Sequence, residues 1–302
     1  MGFAFTRQRN IGKQVRAIAG EQIDKALAEC EATGKSLDET VHGLRRRCKK
    51  MRGLLRLIEP HFKDFVLENR AFRDAADGLA GARDSAVMVE TFQALLAKDI
   101  QRGTKARLDA EQAGRVLRRL QERLGEAAGS GDGRDLLMAF AGLMRAAGKR
   151  VEDWSIRGSG FSRIGDGLET TYRQMREGMQ AAMEDVTAAA LHDWRKDTKY
   201  HWHHVSLFEG CAPELLAGRK TLLDDLGELL GDHHNLAVLD ETLSGERGLA
   251  GSDIMAVQKL IVERQAELAE RAFALGRQLT AEKPATLRRR FEDYWVLLPV
   301  EK

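Results

Sequence analysis

Residues 41–59, VHGLRRRCKKMRGLLRLIE, carry an apolar and a basic stripe at helical spacing, and they constrain the fold more than any other stretch. At 100° per residue the apolar side chains recur on one face, as in a helix packed against a core. The neighbouring face is basic, and no acidic residue occurs before Glu59. Like charges at this spacing repel one another, so the face favours a bound anion. The apolar stripe comprises Leu44, Cys48, Met51, Leu55 and Ile58; the basic face comprises His42, Arg45, Lys49, Arg52 and Arg56, with Arg46 beside it.

The same pattern returns, without a gap, at residues 191–209. Core packing alone would preserve only the apolar positions, whereas here the charged positions are preserved as well. We therefore interpret the two stretches as an internal repeat. In the second copy Trp202 and Ser206 replace the cations of Arg52 and Arg56, which shortens the second basic stripe. The preserved charged positions are His192, Arg195, Lys196 and Lys199.

The charge balance limits the kind of site that the chain can carry. The 48 Lys and Arg residues face 46 Asp and Glu, and the net charge of +2 excludes a globally basic nucleic-acid packing protein. A polyanion site must therefore be a local concentration of cations. Three cysteines without a framework spacing predict a reducing cytoplasm, and neither a signal peptide nor a membrane span is expected.

The residue pattern predicts an all-α fold, because helix formers are abundant, prolines are few and β-branched runs are missing. Ser36 followed by Glu39 predicts a capping box before the helix through His42, which ends at Glu59. Turns are predicted at 81–84 and 231–238 and a loop at 129–133; residues 157–160 are the expected linker between similar halves, 1–156 and 161–302. The other predicted helices are 11–30, 62–80, 85–97, 104–125, 134–154, 164–186, one through His192 that ends before Pro213, 214–230, 252–279 and 284–295.

These stretches resemble the CHAD domain family (conserved histidine α-helical domain) over about residues 8–295. The most specific matches are HGLRRRCKKMR from His42, LHDWRKDTK from Leu191, RDSAV from Arg83 and LLGDHHNLAVL from Leu229. The resemblance implies two helical bundles related by a pseudo-twofold axis, with a central basic groove that binds inorganic polyphosphate. It also implies that Arg173 and Arg176 belong to the helix preceding the second histidine.

The resulting hypothesis is a binding module for inorganic polyphosphate, with no enzymatic activity and no cofactor. The chain lacks the ExExK signature of the triphosphatase domain that often accompanies this family, and it has no glycine-rich phosphate loop. The expected location is the cytoplasm, including polyphosphate granules. The predicted binding residues are His42, Arg45, Arg46, Lys49, Arg52, Arg56, Arg173, Arg176, His192, Arg195, Lys196 and Lys199.

Two alternatives remain open. A nucleic-acid binder could use the same cations, but the basic stripes lack interleaved aromatic residues for base stacking, Trp202 excepted. A histidine-based metal protein acting on phosphate compounds is the other alternative. Its spacing is poor, because adjacent histidines of a helix point apart. The candidate metal ligands would be His201, His203, His204, His233 and His234.

Overall fold

The computed structural model describes residues 2–79, 82–101, 108–128 and 133–300. Within these ranges the regular structure is entirely helical, and no strand occurs. This confirms the predicted all-α fold. None of the described helices is both long and apolar enough to cross a membrane.

Eleven α-helices follow one another along the described residues, with two short 3-10 turns at Glu59–His61 and Glu209–Cys211. The helices are α1 Ile11–Glu31, α2 Leu37–Ile58, α3 Phe65–Asp77, α4 Ala82–Gln101, α5 Ala110–Ala128, α6 Gly133–Glu152, α7 Ser162–Glu184, α8 Ala188–Phe208, α9 Pro213–Ser244, α10 Gly251–Leu279 and α11 Pro284–Trp295.

The two helices that carry the repeated motif, α2 and α8, have similar ends. The Ser36 hydroxyl accepts a bond from the Glu39 amide, and the Glu39 carboxylate accepts one from the Ser36 amide, which is the predicted capping box. At the start of α8 the Thr187 hydroxyl accepts a bond of 3.2 Å from the Ala190 amide. Each helix ends in a 3-10 turn that begins with a glutamate. The internal repeat itself stays a prediction.

The turn predicted at 231–238 is wrong, because α9 continues through it as one helix from Pro213 to Ser244. Leu226, Leu230 and Leu236 are buried at helical spacing, so the apolar stripe runs through the predicted turn. Gly231 does not form a turn; its missing side chain lets Arg195 of α8 lie close to the α9 backbone. A Cβ added at Gly231 would lie 3.2 Å from the Arg195 guanidinium.

The turn predicted at 81–84 is also wrong over 82–84, since α4 begins at Ala82. Gly81 lies outside the described residues, as do 129–132 of the predicted loop and the first residues, 104–107, of the predicted fifth helix. The side chains of Arg83 and Asp84 are likewise not described.

The apolar interior forms two clusters that do not follow the two halves of the sequence. The larger cluster joins α1, α2, α3, α6, α7, α8 and α11 with the first part of α9 and the last part of α10. The smaller cluster joins α4 and α5 to the second part of α9 and to α10, through residues such as Phe92, Val116, Leu239 and Val257. Each core therefore draws on both sides of residues 157–160. The division into halves 1–156 and 161–302 stays a prediction.

Glycines let the helices around α2 approach closely. A Cβ added at Gly53 would lie 2.7 Å from the Cβ of His203 on α8. A Cβ added at Gly167 on α7 would lie 2.0 Å from the backbone oxygen of Leu57. The buried imidazole of His204 donates a 3.0 Å hydrogen bond from Nε2 to the Gly53 carbonyl. These contacts fix α2 against α7 and α8, and so fix the relative positions of the cations that α2 and α8 carry.

Candidate anion-binding site

Cations of α2 and α8 come together around Lys49. Its ammonium lies close enough to Arg45 and Arg52 of its own helix, and to Arg195 and Lys199 of α8, for all four to affect its ionisation. Desolvation first, and then these cations, lower the pKa of Lys49 to about 8, although its side chain is exposed at the surface. No carboxylate within the described residues pairs with Lys49. We call Arg45, Lys49, Arg52, Arg195 and Lys199 the Lys49 cluster.

Neutral groups orient two of the α2 cations, so no carboxylate offsets their positive charge. Arg45 donates to the Ala76 carbonyl at 3.1 Å, and Arg52 donates to the side-chain oxygen of Asn69 at 3.1 Å. Arg56, by contrast, pairs with Glu59 at 2.8 Å. Arg46 is exposed, as is His42. Neutral partners fix a guanidinium without cancelling its charge, so this stripe remains strongly positive.

The α8 cations lie beside carboxylates, most of which belong to α9. The Lys199 ammonium is 3.0 Å from Asp224 and 3.3 Å from Glu228, and Lys196 is 2.5 Å from Asp193 of its own helix. Arg195 donates to the Gly227 carbonyl at 3.4 Å and lies in the field of nearby acids of α9. These carboxylates partly neutralise the basic stripe of α8. The sequence had predicted a row of unpaired cations on both α2 and α8.

Glycines of α9 make room for these α8 side chains. A Cβ added at Gly227 would lie 2.5 Å from Cε of Lys199, and one at Gly231 would meet Arg195. Gly227 and Gly231 are four residues apart, as are Arg195 and Lys199. Each of the two side chains therefore crosses α9 at a glycine, Lys199 at Gly227 and Arg195 at Gly231. The sequence did not indicate this fit, because it depends on which helices are neighbours.

Two aromatic rings, Tyr200 and Trp202, line the basic site, and the sequence reasoning missed Tyr200. Arg52 and Arg56 lie 5.7 and 5.4 Å from the centre of the Tyr200 ring. Trp202 has Lys199 at 5.7 Å and Lys220, from α9, at 5.9 Å. Each such cation–ring contact stabilises by about 0.5–1 kcal/mol at an exposed site. Tyr200 directly follows Lys199, so the sequence could have indicated an aromatic ring near the basic stripe of α8. The helical spacing gave no indication that Lys220 of α9 would contact Trp202.

The structure places Arg173 and Arg176 differently from the α2 and α8 cations. Arg176 donates a 2.9 Å hydrogen bond to the carbonyl of Glu282, in the connection between α10 and α11. Arg173 is exposed on the same helix, α7. Neither is among the charges that shift the pKa of Lys49. The structure therefore does not place either arginine in the Lys49 cluster, and their part in binding stays a prediction.

The second motif histidine, His192, packs against another histidine. The rings of His192 and His234 are 4.1 Å apart. Burial, followed by Lys196 and Arg195, lowers the pKa of His192, and burial lowers the pKa of His234 to about 4. His192 is therefore neutral at pH 7 and offers a phosphate at most one N–H, not a charge.

The remaining histidines of α8 belong to the core. Burial lowers the pKa of both His203 and His204 to about 3, so they are neutral at physiological pH. Nε2 of His201 accepts a bond of 3.1 Å from Arg219. Across the parts of the chain that the structure describes, no three His, Cys, Asp or Glu side chains are arranged as metal ligands.

One carboxylate lies near the basic residues of α8 and was not anticipated. Asp197 is half-buried, and burial raises its pKa to about 6, with Arg56 and Lys196 acting in the opposite direction. An open cleft of about 630 Å³ lies between α9 and α10 and is lined by both acids and arginines. Two of its acids, Glu228 and Asp232, also lie beside Lys199 and Arg195 of the Lys49 cluster. The central basic groove stays a prediction.

Comparisons with known proteins show the family to which the chain belongs. A family model described as the CHAD domain matches residues 17–244. The chain is also similar to the crystal structure of the CHAD domain from the plant Ricinus communis. The two share 18% identity with a TM-score of 0.48, over 96% of this chain and 94% of that one. No curated protein matches the chain. Because the family model spans well over half of the sequence, the protein is a member of the CHAD domain family.

Proposed function

We propose that this protein binds inorganic polyphosphate without hydrolysing it, through the cations of α2 and α8. The observation that carries the proposal is the Lys49 cluster, in which cations from two helices surround an ammonium without a carboxylate partner. The resemblance to CHAD domains implies the same ligand class. A linear polyanion removes the mutual repulsion of these cations, and that repulsion is otherwise a cost to the folded protein.

The residue types suit an extended phosphate chain. The guanidinium of Arg45 or Arg195 can bind two oxygens of one phosphate, whereas the Lys49 ammonium acts as a compact point charge. A flexible polymer that contacts α2 can reach α8 without a second diffusional encounter, so the two groups of cations reinforce one another. Because binding displaces counterions, the affinity should fall steeply with salt.

The proposal excludes turnover for a chemical reason. Phosphoryl transfer usually needs carboxylates that hold Mg²⁺ and a group that positions the nucleophile. Around Lys49 the nearest charges are cations, and the carboxylates closest to the cluster, Asp224 and Glu228, already pair with Lys199. We expect purified protein to release no phosphate from polyphosphate at enzyme-like rates.

A pair of charge-matched double variants tests the binding site. Lys49→Glu combined with Arg46→Glu changes the net charge as much as Lys63→Glu combined with Arg289→Glu, which alters two exposed residues elsewhere. Arg288 is unsuitable as a control because it pairs with Asp166 at 3.1 Å.

The measurement is affinity for long-chain polyphosphate at one ionic strength, beside the melting temperature. The α2 variant should lose at least tenfold more affinity than the control while both remain folded. Equal losses would mean that only overall charge matters, and the site would be refuted.

Single-stranded nucleic acid is a second candidate, supported by the aromatic residues at the site. Tyr200 and Trp202 are half-buried and lie beside cations, an arrangement that can serve base stacking. Against it, each ring already has two cations within 6 Å. Competition between long-chain polyphosphate and single-stranded DNA for the protein distinguishes the two, and we expect polyphosphate to displace DNA and not the reverse.

The location follows from the ligand. We expect the protein in the cytoplasm and, where polyphosphate granules form, at those granules. Fluorescence microscopy of a tagged protein checks this, with the Lys49→Glu, Arg46→Glu variant as the control that should lose granule association.

A further inference from the structure

Lys49 differs from Lys196, Lys199 and Lys220 in what surrounds its amine, and it shares cationic surroundings with Lys50. The ammonium groups of Lys196, Lys199 and Lys220 each lie within 3.0 Å of a carboxylate. Lys49 has cations on both sides instead. It is also exposed, so a small reagent can reach it. An unpaired amine is the form of lysine that can act as a nucleophile.

We propose that Lys49 is a site of acylation by small acyl phosphates, because the cations around it hold the phosphate of the reagent beside an unpaired amine. The inference rests on the proposed function in one respect, since it requires the Lys49 cluster to bind phosphate. It adds a chemical consequence for one residue. Acylation would remove a charge from the cluster, and so would weaken polyanion binding.

The reaction balances without another reagent. The lone pair of Lys49 Nζ attacks the carbonyl carbon of the acyl phosphate, and an N–C bond forms. The C–O bond to the phosphate breaks, and inorganic phosphate leaves with that electron pair. The amine loses one proton to water, and nothing is oxidised or reduced. Arg45 and Arg195, one from each helix, are the cluster members suited to bind the phosphate oxygens.

The ionisation of the amine supports this chemistry. With a pKa of about 8, about half of the Lys49 side chains are neutral at pH 8. For an ordinary lysine with a pKa of about 10.4 the neutral fraction is roughly a hundredfold smaller.

The test uses acetyl phosphate and the intact chain. Protein is treated at pH 8, and acetylation of each lysine is measured by mass spectrometry. The exposed Lys63 and Lys149 serve as reference residues. A parallel reaction with an N-hydroxysuccinimide ester of acetate, which has no phosphate, reports amine reactivity alone. We expect the ratio of Lys49 to the reference lysines to be at least tenfold higher with acetyl phosphate than with the ester.

Further measurements test whether a bound phosphate directs the acetylation and whether acetylation weakens binding. Pyrophosphate should suppress acetylation of Lys49 and leave Lys63 unchanged, and Arg195→Gln should reduce the acetyl phosphate preference at least threefold. If that variant does not fold, Arg45→Gln makes the same test from α2. Treatment should weaken polyphosphate binding of the wild-type protein. Treatment should weaken the binding of Lys49→Arg less than that of the wild-type protein, because arginine is not acetylated.

The outcomes separate the two proposals. Equal ratios with both reagents, or no effect of pyrophosphate, overturn the acylation site. Polyphosphate affinity of untreated protein is measured on the same preparation and decides the proposed function independently. A preparation that binds polyphosphate but shows no preference at Lys49 would refute only the acylation inference.

Discussion

Replacing Gly53 with alanine should push α2 away from α8 and destabilise the protein. A Cβ at this position would lie 2.7 Å from the Cβ of His203, which is attached to the backbone and cannot rotate away. Carbon atoms in contact prefer about 3.5 Å or more, so the helices must separate by roughly 0.8 Å. The same movement strains the hydrogen bond from His204 to the Gly53 carbonyl.

The net cost of Gly53→Ala combines three effects. Overpacking costs about 1–3 kcal/mol, and weakening a buried hydrogen bond costs about 0.5–1.5 kcal/mol. The higher helix propensity of alanine raises the free energy of unfolding by about 0.8–1 kcal/mol. We therefore expect a net loss of about 2 kcal/mol in the free energy of unfolding. For a chain of 302 residues, an unfolding entropy of about 2.1 cal/mol/K per residue converts this into a fall of roughly 3 °C in melting temperature.

Gly142→Ala is the matched control, because Gly142 lies in α6 and a Cβ there meets nothing within 4 Å. This variant should gain about 0.5–1 kcal/mol, so the two substitutions should have opposite signs. Urea unfolding followed by circular dichroism measures both, and polyphosphate affinity measured in parallel should fall only for Gly53→Ala. If both alanines stabilised the protein equally, the close packing of α2 on α8 would be refuted.

Three further predictions concern charged groups. The polyphosphate affinity of the wild-type protein should fall between pH 5 and 7, because the Asp197 carboxyl, with a pKa of about 6, becomes an anion over this range. Asp197→Asn should remove that fall and bind polyphosphate more tightly than the wild type at pH 7. Binding titrations at several pH values check both results. A raised carboxyl pKa also means that stability falls as pH rises from about 4 to 6, by at most ~3 kcal/mol, and this pH-dependent fall should be absent in the variant. Asp224→Asn combined with Glu228→Gln should strengthen binding severalfold by releasing Lys199 from both of its carboxylates, and an unchanged affinity would show that Lys199 does not contact the ligand. Glu68→Gln should cost about 1–3 kcal/mol in unfolding free energy, because Glu68 is 2% exposed and receives two bonds from Arg150, whose side chain is 37% exposed and stays in contact with water; an unchanged melting temperature would contradict this.

Local rules predicted the helices and the α2 motif well. The capping box of Ser36 and Glu39 involves neighbours in sequence, and Leu44 and Met51 are buried as their spacing indicated. The segment 231–238 was predicted wrongly, because Gly231 was interpreted as part of a turn. A glycine at a helix crossing and a glycine in a turn look alike in sequence, and only the neighbouring helix distinguishes them.

The charge state of the site could not be predicted from the sequence for a similar reason. Lys49 and Lys199 occupy equivalent positions in the two motifs, yet only Lys199 has acids of α9 beside it. His192 looked like a cation on a basic stripe, but its contact with His234 and its burial make it neutral. Such differences depend on residues from other helices, and helical periodicity holds no information about them.

The smaller core has a consequence for how the protein is made. Its α4 and α5 residues, such as Phe92 and Val116, are synthesised more than a hundred residues before their partners Leu239 and Val257. At about 5–20 residues per second, the ribosome needs roughly 6–30 s to produce those partners. During that time the α4–α5 pair presents an unpaired apolar face to the cell. The nascent chain should therefore depend on chaperones at this stage more than the finished protein ever does.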